Sequence, residues 1–215
     1  MKRIFLISAL FVSLSVSAQY TPFNPDAVTS ATQQASAKDA QTPKAKPAKP
    51  VMMIKEKYAA GSCPEVDGKV VWSKTFSCAP LTAQQIYDRM IAFLQEYCKQ
   101  EGKDPVSKIA IVNREKHEIG ARISEYVTFR EGLLRDRALL NYTLRVNCFD
   151  GKCEVIMNNM SYTYDSKFPA EEMLLDKNAL NKTQTKFNKG GYEKFRTKTI
   201  DTKDALMAQI ETALK

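Results

Sequence analysis

An α+β fold, with an antiparallel sheet and helices packed on one of its faces, is what this sequence predicts, and three observations predict it. After one strand and one amphipathic helix, four strand-like segments follow with short connections and no long helix between them. The turn signal Asp150-Gly151 sets apolar residues of two of those segments opposite one another on a single face. An apolar stripe at helical spacing then closes the chain. The element order is β-α-β-β-β-β-α, with a short extra helix before the closing one.

The first strand is "KVVWSKTF", residues 69–76, whose β-branched and aromatic content suits a pleated, half-buried surface. Pro80 follows, and then Thr82 with Gln85 three positions on, the signature of a capping box. Ile86, Met90, Phe93, Leu94 and Tyr97 recur at helical spacing, so an amphipathic helix is expected from 82 to about 101, ending near Gly102. Strands are expected at 107–114, 118–129, 137–149 and 152–164, joined as an antiparallel meander. In the last hairpin a two-residue turn pairs Phe149 with Lys152, Cys148 with Cys153, Val146 with Val155 and Leu144 with Met157. The opposite face sets Asn141, Thr143, Arg145 and Asn147 against Met160, Asn158, Ile156 and Glu154, so one face is core and the other open. "FPAEEMLLDKNAL" begins with Pro169 near a first helical turn and gives the short extra helix.

The segment 181–199 is basic and contains Gly190-Gly191. Lys194, Arg196 and Lys198 fall on alternate positions, which suggests an extended stretch leading to Asp201 as N-cap of the closing helix. In that reading Phe187, Tyr192 and Phe195 pin the segment to the core while its lysines stay in water. Leu206, Ile210 and Leu214 form the buried stripe of the helix. The same stretch holds six basic residues from Lys182 to Lys198 against the single acid Glu193, interleaved with aromatics, which is the composition of a glycan- or phosphate-binding surface. The candidate ligand-binding residues are therefore Lys189, Lys194, Arg196 and Lys198, with Arg145 on the open face of the sheet.

Ahead of this domain lie two segments of different composition. "MKRIFLISALFVSLSVSA" has a basic start, an apolar run too short for a membrane span and a small-residue end, so residues 1–18 read as a signal peptide cleaved near Ala18. Residues 19–62 are rich in Ala, Gln, Thr, Ser, Lys and Pro and read as a disordered linker. Residues 63–215 are the right size for one domain. An exported protein is expected, periplasmic or secreted, with no transmembrane segment. Lys+Arg number 32; removing Lys2 and Arg3 leaves 30 against 24 Asp+Glu, a net charge of +6. In that compartment the excess favours anionic envelope polymers and surfaces over nucleic acid, by access alone, although solubility also accounts for it.

The residues of the closing region carry a resemblance. The element order, the leader, "GKVVWSKTF" and above all "DKNALNKTQTKFNKGGYEKFRTKTID" resemble a family of secreted Bacteroidetes proteins known as a domain of unknown function with a TATA-binding-protein-like (TBP-like) fold. The similarity runs from about Gly68 to the carboxyl terminus. It implies an antiparallel sheet curved around helices on one side, and it carries over no catalytic residues. DNA binding does not follow from the name of a fold.

Little in the chain points to catalysis. Five cysteines permit at most two bridges. Cys148 and Cys153 fall on a non-hydrogen-bonded pair with α-carbons roughly 4.5 Å apart, which a disulfide can span. A staple is expected there, with two buried thiols as the alternative. The one histidine, His117, lies in a polar connection, and nothing places it beside Cys98 as base to nucleophile. Glu171, Glu172 and Asp176 suit the start of a helix. No metal, cofactor or catalytic residue is therefore assigned. The expected function is a non-enzymatic binding or interaction module of the cell envelope, its partner an envelope glycan, an anionic surface or an envelope protein. A hydrolase or transferase acting on envelope material, or a structural assembly component, are the alternatives.

Overall fold

The structure, a computed structural model, describes residues 54–215. The expected signal peptide and most of the expected linker lie outside the described residues. The domain boundary expected at Cys63 is corrected, because residues 54–62 are built into the domain. A 3-10 turn, Glu56–Tyr58, begins this segment. The Tyr58 hydroxyl donates to Asp201 at 2.8 Å, and the Gly61 N–H donates to Asp176 at 2.7 Å. Trp72 Nε1 donates to the Ser62 carbonyl at 2.8 Å.

Two two-residue strands, β1 (Glu65–Val66) and β2 (Lys69–Val70), form a small hairpin before β3 (Trp72–Ser77). The strand expected over 69–76 is thus split at Val71, whose N–H turns aside to the Pro64 carbonyl at 3.0 Å. Helix α1 (Ala83–Tyr97) follows, then β4 (Lys108–Asn113), β5 (Glu118–Arg130), β6 (Asp136–Phe149) and β7 (Lys152–Thr163). The six-stranded sheet has the order β3-β7-β6-β5-β4, with β8 (Lys167–Pro169) added beside β7. All the pairings are antiparallel. The expected short helix is two four-residue turns, α2 (Glu171–Leu174) and α3 (Asp176–Ala179). Helix α4 (Tyr192–Leu214) ends the chain.

The register of the last hairpin matches the turn chemistry over most of its length. Phe149 faces Lys152, Cys148 faces Cys153, Val146 faces Val155 and Leu144 faces Met157. Asn141, however, faces Ser161 rather than Met160, because a bulge interrupts the ladder between Asn141 and Thr143. Asn159 sits there with φ 51°, a conformation that asparagine tolerates better than most residues. The extra residue turns Met160 and Tyr162 onto the buried face, where both are at most 3% exposed.

Helix α1 carries the capping box expected at Thr82 and Gln85. Its N-terminus is also tied to the hairpin turn, since Asp150 Oδ1 accepts from the Ala83 N–H at 2.7 Å. Ile86, Met90, Leu94 and Tyr97 are buried against the sheet. α4 packs on the same face, with Phe195, Ile200, Leu206, Ile210 and Leu214 in the core. Among the described residues, the other face of the sheet has no helix across it.

The start of α4 corrects the extended reading of the basic segment. Gly190 and Gly191, with φ 108° and 91°, make a left-handed turn, and the helix begins at Tyr192, nine residues before Asp201. Asp201 is accordingly an interior helix residue, ion-paired with Lys57 at 2.6 Å, and caps nothing.

Candidate functional site

Helical geometry takes Arg196 out of the basic set, while Lys194 and Lys198, one turn apart on the same helix face, line an open groove of about 660 Å³ together with Lys189. Arg196 is fully buried, at 0% exposure. Its Nε donates to the Tyr58 carbonyl at 3.0 Å, Nη2 to the Ala59 carbonyl at 2.7 Å, and Nη1 to the Leu174 carbonyl. Asp176 supplies the countercharge at 2.7 Å. The guanidinium therefore clamps the entry segment and the α2–α3 corner onto α4, using its whole fork. Arg196 is a framework residue and not a ligand contact.

Lys194 is also committed. It donates to Asp136 at 2.9 Å and lies over the rings of Phe129 and Tyr164 at 4.7 and 4.9 Å. Burial would lower its pKa, but the hydrogen bonds to Asp136 and Tyr164 outweigh that and hold it above the usual lysine value. Lys189 and Lys198 remain exposed. Of the four candidates in the segment, then, two are structural and two are solvated.

Arg145 is exposed on the open face, and the ladder shows what stands beside it. Across the sheet, one row reads Lys108, Arg122, Thr143, Asn158, and the next reads Ile111, Gly120, Arg145, Ile156, Ser73. A third row joins Ser124, Asn141 and Ser161, with the Ser124 hydroxyl donating to Asn141 at 2.6 Å. Lys108 and Arg122 are thus like charges directly opposite, a pairing that destabilises a sheet. Neither they nor Arg145 make an ion pair among the described residues. A groove of about 390 Å³ lies along these rows, lined by Lys108, Arg122, Asn141, Thr143, Ser161 and Lys167 among others, and no carboxylate lines it. Asn158 Oδ1, buried at the edge of the bulge, accepts no hydrogen bond. Sequence reasoning found Arg145 but missed Lys108, Arg122 and Lys167, since only the ladder brings them together.

The remaining chemical candidates are dispersed. His117 contacts Gln84 at 3.2 Å and packs on Tyr87, beside the first half of α1, while Cys98 caps the other end of that helix. Fourteen residues of helix separate those ends, about 21 Å along the axis. Glu171 accepts from the Val70 N–H at 3.3 Å, and Asp176 holds Arg196, so these acids are structural. The staple expected at Cys148 and Cys153 is corrected: both are free thiols, facing one another across the hairpin in the buried core. The hydrogen bond between them and burial hold the Cys153 thiol well above its usual pKa. Burial pushes the Cys63 thiol up to about 12. Native protein should therefore react with a thiol reagent fastest at Cys98, the one cysteine that is not fully buried, with all five reacting in denaturant. A native-state count of several fast thiols would contradict the packing.

A buried polar cluster lies where the loop after α1 crosses β5. Lys103 and Glu125 form an ion pair with side chains 9% and 8% exposed. The Tyr142 hydroxyl donates to Glu125 at 2.6 Å, and Tyr97 adds a longer contact at 3.4 Å. Lys103 Nζ also lies 3.9 Å from the centre of the Tyr97 ring. Burial raises the Tyr142 hydroxyl far above an ordinary tyrosine. No periodicity marks this cluster, because Lys103 lies in a loop and Glu125 alternates with apolar residues on the core face.

Comparison with known proteins agrees with the architecture. Residues 72–163 match the family model described as a domain of unknown function (DUF4468) with TBP-like fold. The chain is similar to a DUF4468 family protein from Bacteroides ovatus ATCC 8483, known at 1.49 Å resolution. The two are 38% identical with a TM-score of 0.69, over 74% of this chain and 93% of that one. It is also similar in fold to a TBP-like protein from Parabacteroides distasonis ATCC 8503, at 17% identity and a TM-score of 0.57, over 71% and 96% of the two chains. No curated protein matches.

Proposed function

The chain belongs to the DUF4468 family with its TBP-like fold, and on that premise we propose that it is an exported, non-enzymatic binding module that takes an anionic glycan of the cell envelope on the open face of its sheet. The row Lys108, Arg122, Thr143, Asn158 carries the proposal. Two cations held side by side without a counter-ion cost the free protein stability, and a ligand carboxylate or phosphate removes that cost. The hydroxyl and amide groups that line the groove, on Ser124, Asn141, Thr143, Asn159 and Ser161, suit the hydroxyls of a sugar. Export rests on the leader, residues 1–18.

The test is binding of the chain from Gln19 onward to acidic and neutral envelope glycans, with salt titrated. Acidic glycans should bind, more weakly as salt rises, and should be recovered chemically unchanged. Changing Lys108→Gln and Arg122→Gln together should cost roughly tenfold or more in affinity. Turnover of the glycan would replace this reading with a hydrolase or transferase, and absence of binding to any glycan would sink it.

Assembly through the sheet edge has one observation in its favour. β4 is an edge strand in the sheet order, and Ile111 and Val112 on it are 63% and 60% exposed. The bulge between Ile109 and Ile111 works against pairing there. A monomer at all concentrations in sedimentation would remove this reading.

A further inference from the structure

The hairpin that joins β5 to β6 ends in Glu131-Gly132-Leu133-Leu134-Arg135. Leu133 is 102% exposed and Leu134 76%, and they are the only exposed leucines among the described residues. Turn formation does not ask for them, since the turn geometry is met by Gly132 with φ 111°. Two adjacent leucines standing fully in water on a projecting tip call for something that covers them.

The surroundings of the tip narrow what that is. Arg130, Arg135 and Arg137 flank the leucines. The nearby acids are engaged within the chain: Asp136 by Lys194 and Tyr164 at 2.9 and 2.7 Å, and Glu131 by Arg135 at 3.7 Å. Arg130 makes no ion pair among the described residues. Arg137 lies 3.9 Å from the ring of Tyr126, an exposed tyrosine on the open face. The tip therefore has an apolar end, a cationic collar and an amphipathic ring behind it, in that order along the hairpin. The apolar end followed by cations matches the hydrocarbon and then the anionic headgroup region of a lipid leaflet, the level at which an amphipathic ring such as that of Tyr126 also sits.

We propose that the Leu133–Leu134 tip enters the hydrocarbon of an anionic lipid leaflet while Arg130, Arg135 and Arg137 meet its headgroups. Two leucines bury less than one acyl chain, which by itself holds only marginally, so the contact is weak and reversible. It is separate from the glycan groove. Arg122 precedes Arg130 by eight residues on the same strand, about 26 Å of extended chain. The proposal does not depend on the groove's ligand.

The experiment is co-sedimentation of the chain from Gln19 onward with vesicles of phosphatidylethanolamine and phosphatidylglycerol, and with vesicles of phosphatidylcholine alone. The anionic vesicles should bind the chain, and the double variant Leu133→Ser, Leu134→Ser should bind roughly tenfold or more weakly while melting at the same temperature. Arg130→Gln with Arg137→Gln should remove most of the preference for anionic lipid. Lys108→Gln with Arg122→Gln should leave vesicle binding unchanged, which separates this result from the fate of the glycan reading. Depth is read with Leu134→Trp, whose fluorescence should be quenched by acyl chains carrying bromine, against the buried background of Trp72, itself 6% exposed. Any of three results overturns the proposal: no vesicle binding, binding that survives the double serine variant, or fluorescence of the Leu134→Trp variant untouched by the bromine.

Discussion

Replacing Arg196 by Ala should destabilise the domain by about 3–5 kcal/mol, the range for breaking a buried charge pair by removing one partner. The loss is large because one side chain serves three carbonyl acceptors and one counter-ion. Without the guanidinium, the carbonyls of Tyr58, Ala59 and Leu174 lose their donor and the carboxylate of Asp176 loses its countercharge together. Arg196→Lys keeps the charge but has no planar fork, and should recover only a minor part. A melting temperature lower by on the order of ten degrees is expected for a domain of this size. Hydrogen exchange supplies the specific readout, since protection should fall first in residues 54–62 and in the α2–α3 corner. A variant that melts like the parent would mean that the clamp contributes nothing.

The second large effect concerns Glu125. Its replacement by Ala should also cost about 3–5 kcal/mol, since it leaves the Lys103 ammonium in a core site with no countercharge. The prediction that distinguishes charge from packing is the pair. Lys103→Met combined with Glu125→Leu should recover most of the loss, because two apolar side chains leave no charge unpaired. Tyr97 and Tyr142 would still contact one another at 3.4 Å. Additive single effects would mean that the pair is not coupled as the geometry requires.

The way these residues escaped or yielded to sequence reading follows from periodicity. The sheet was legible because Val146, Leu144, Val155 and Met157 alternate cleanly around a strong turn signal, and α1 was legible because Thr82 and Gln85 announce it. The start of α4 was not. Its buried stripe runs through Phe195, Thr199 and Ile200 with Arg196 beside them, so two polar side chains occupy core positions. Lys194, Arg196 and Lys198 then read as an alternating strand pattern on what is the first part of a helix. The bulge at Asn159 left no mark in composition, and it shifts by one residue every pairing of the hairpin beyond it. Tyr58 likewise sits in a linker-like stretch, and only its contacts across the domain reveal that the fold has begun.

The same logic governs the candidate site. The basic segment is visible in one dimension and only partly kept in three, where Arg196 is buried and Lys194 paired while Lys189 and Lys198 stay exposed beside the same groove. The open face is the reverse case. Lys108, Arg122, Arg145 and Lys167 lie on four different strands, and their grouping exists only in the register of the ladder.

That contrast is tested most directly by mapping amide shifts of an isotopically labelled chain during titration with the acidic envelope glycan that binds best. Shifts clustered at Lys108, Arg122, Asn141, Thr143 and residues 158–161, with residues 182–198 unmoved, are the predicted result. Shifts confined to Lys186, Lys189 and Lys198 with a silent sheet would contradict it, and would return the binding surface to the basic segment.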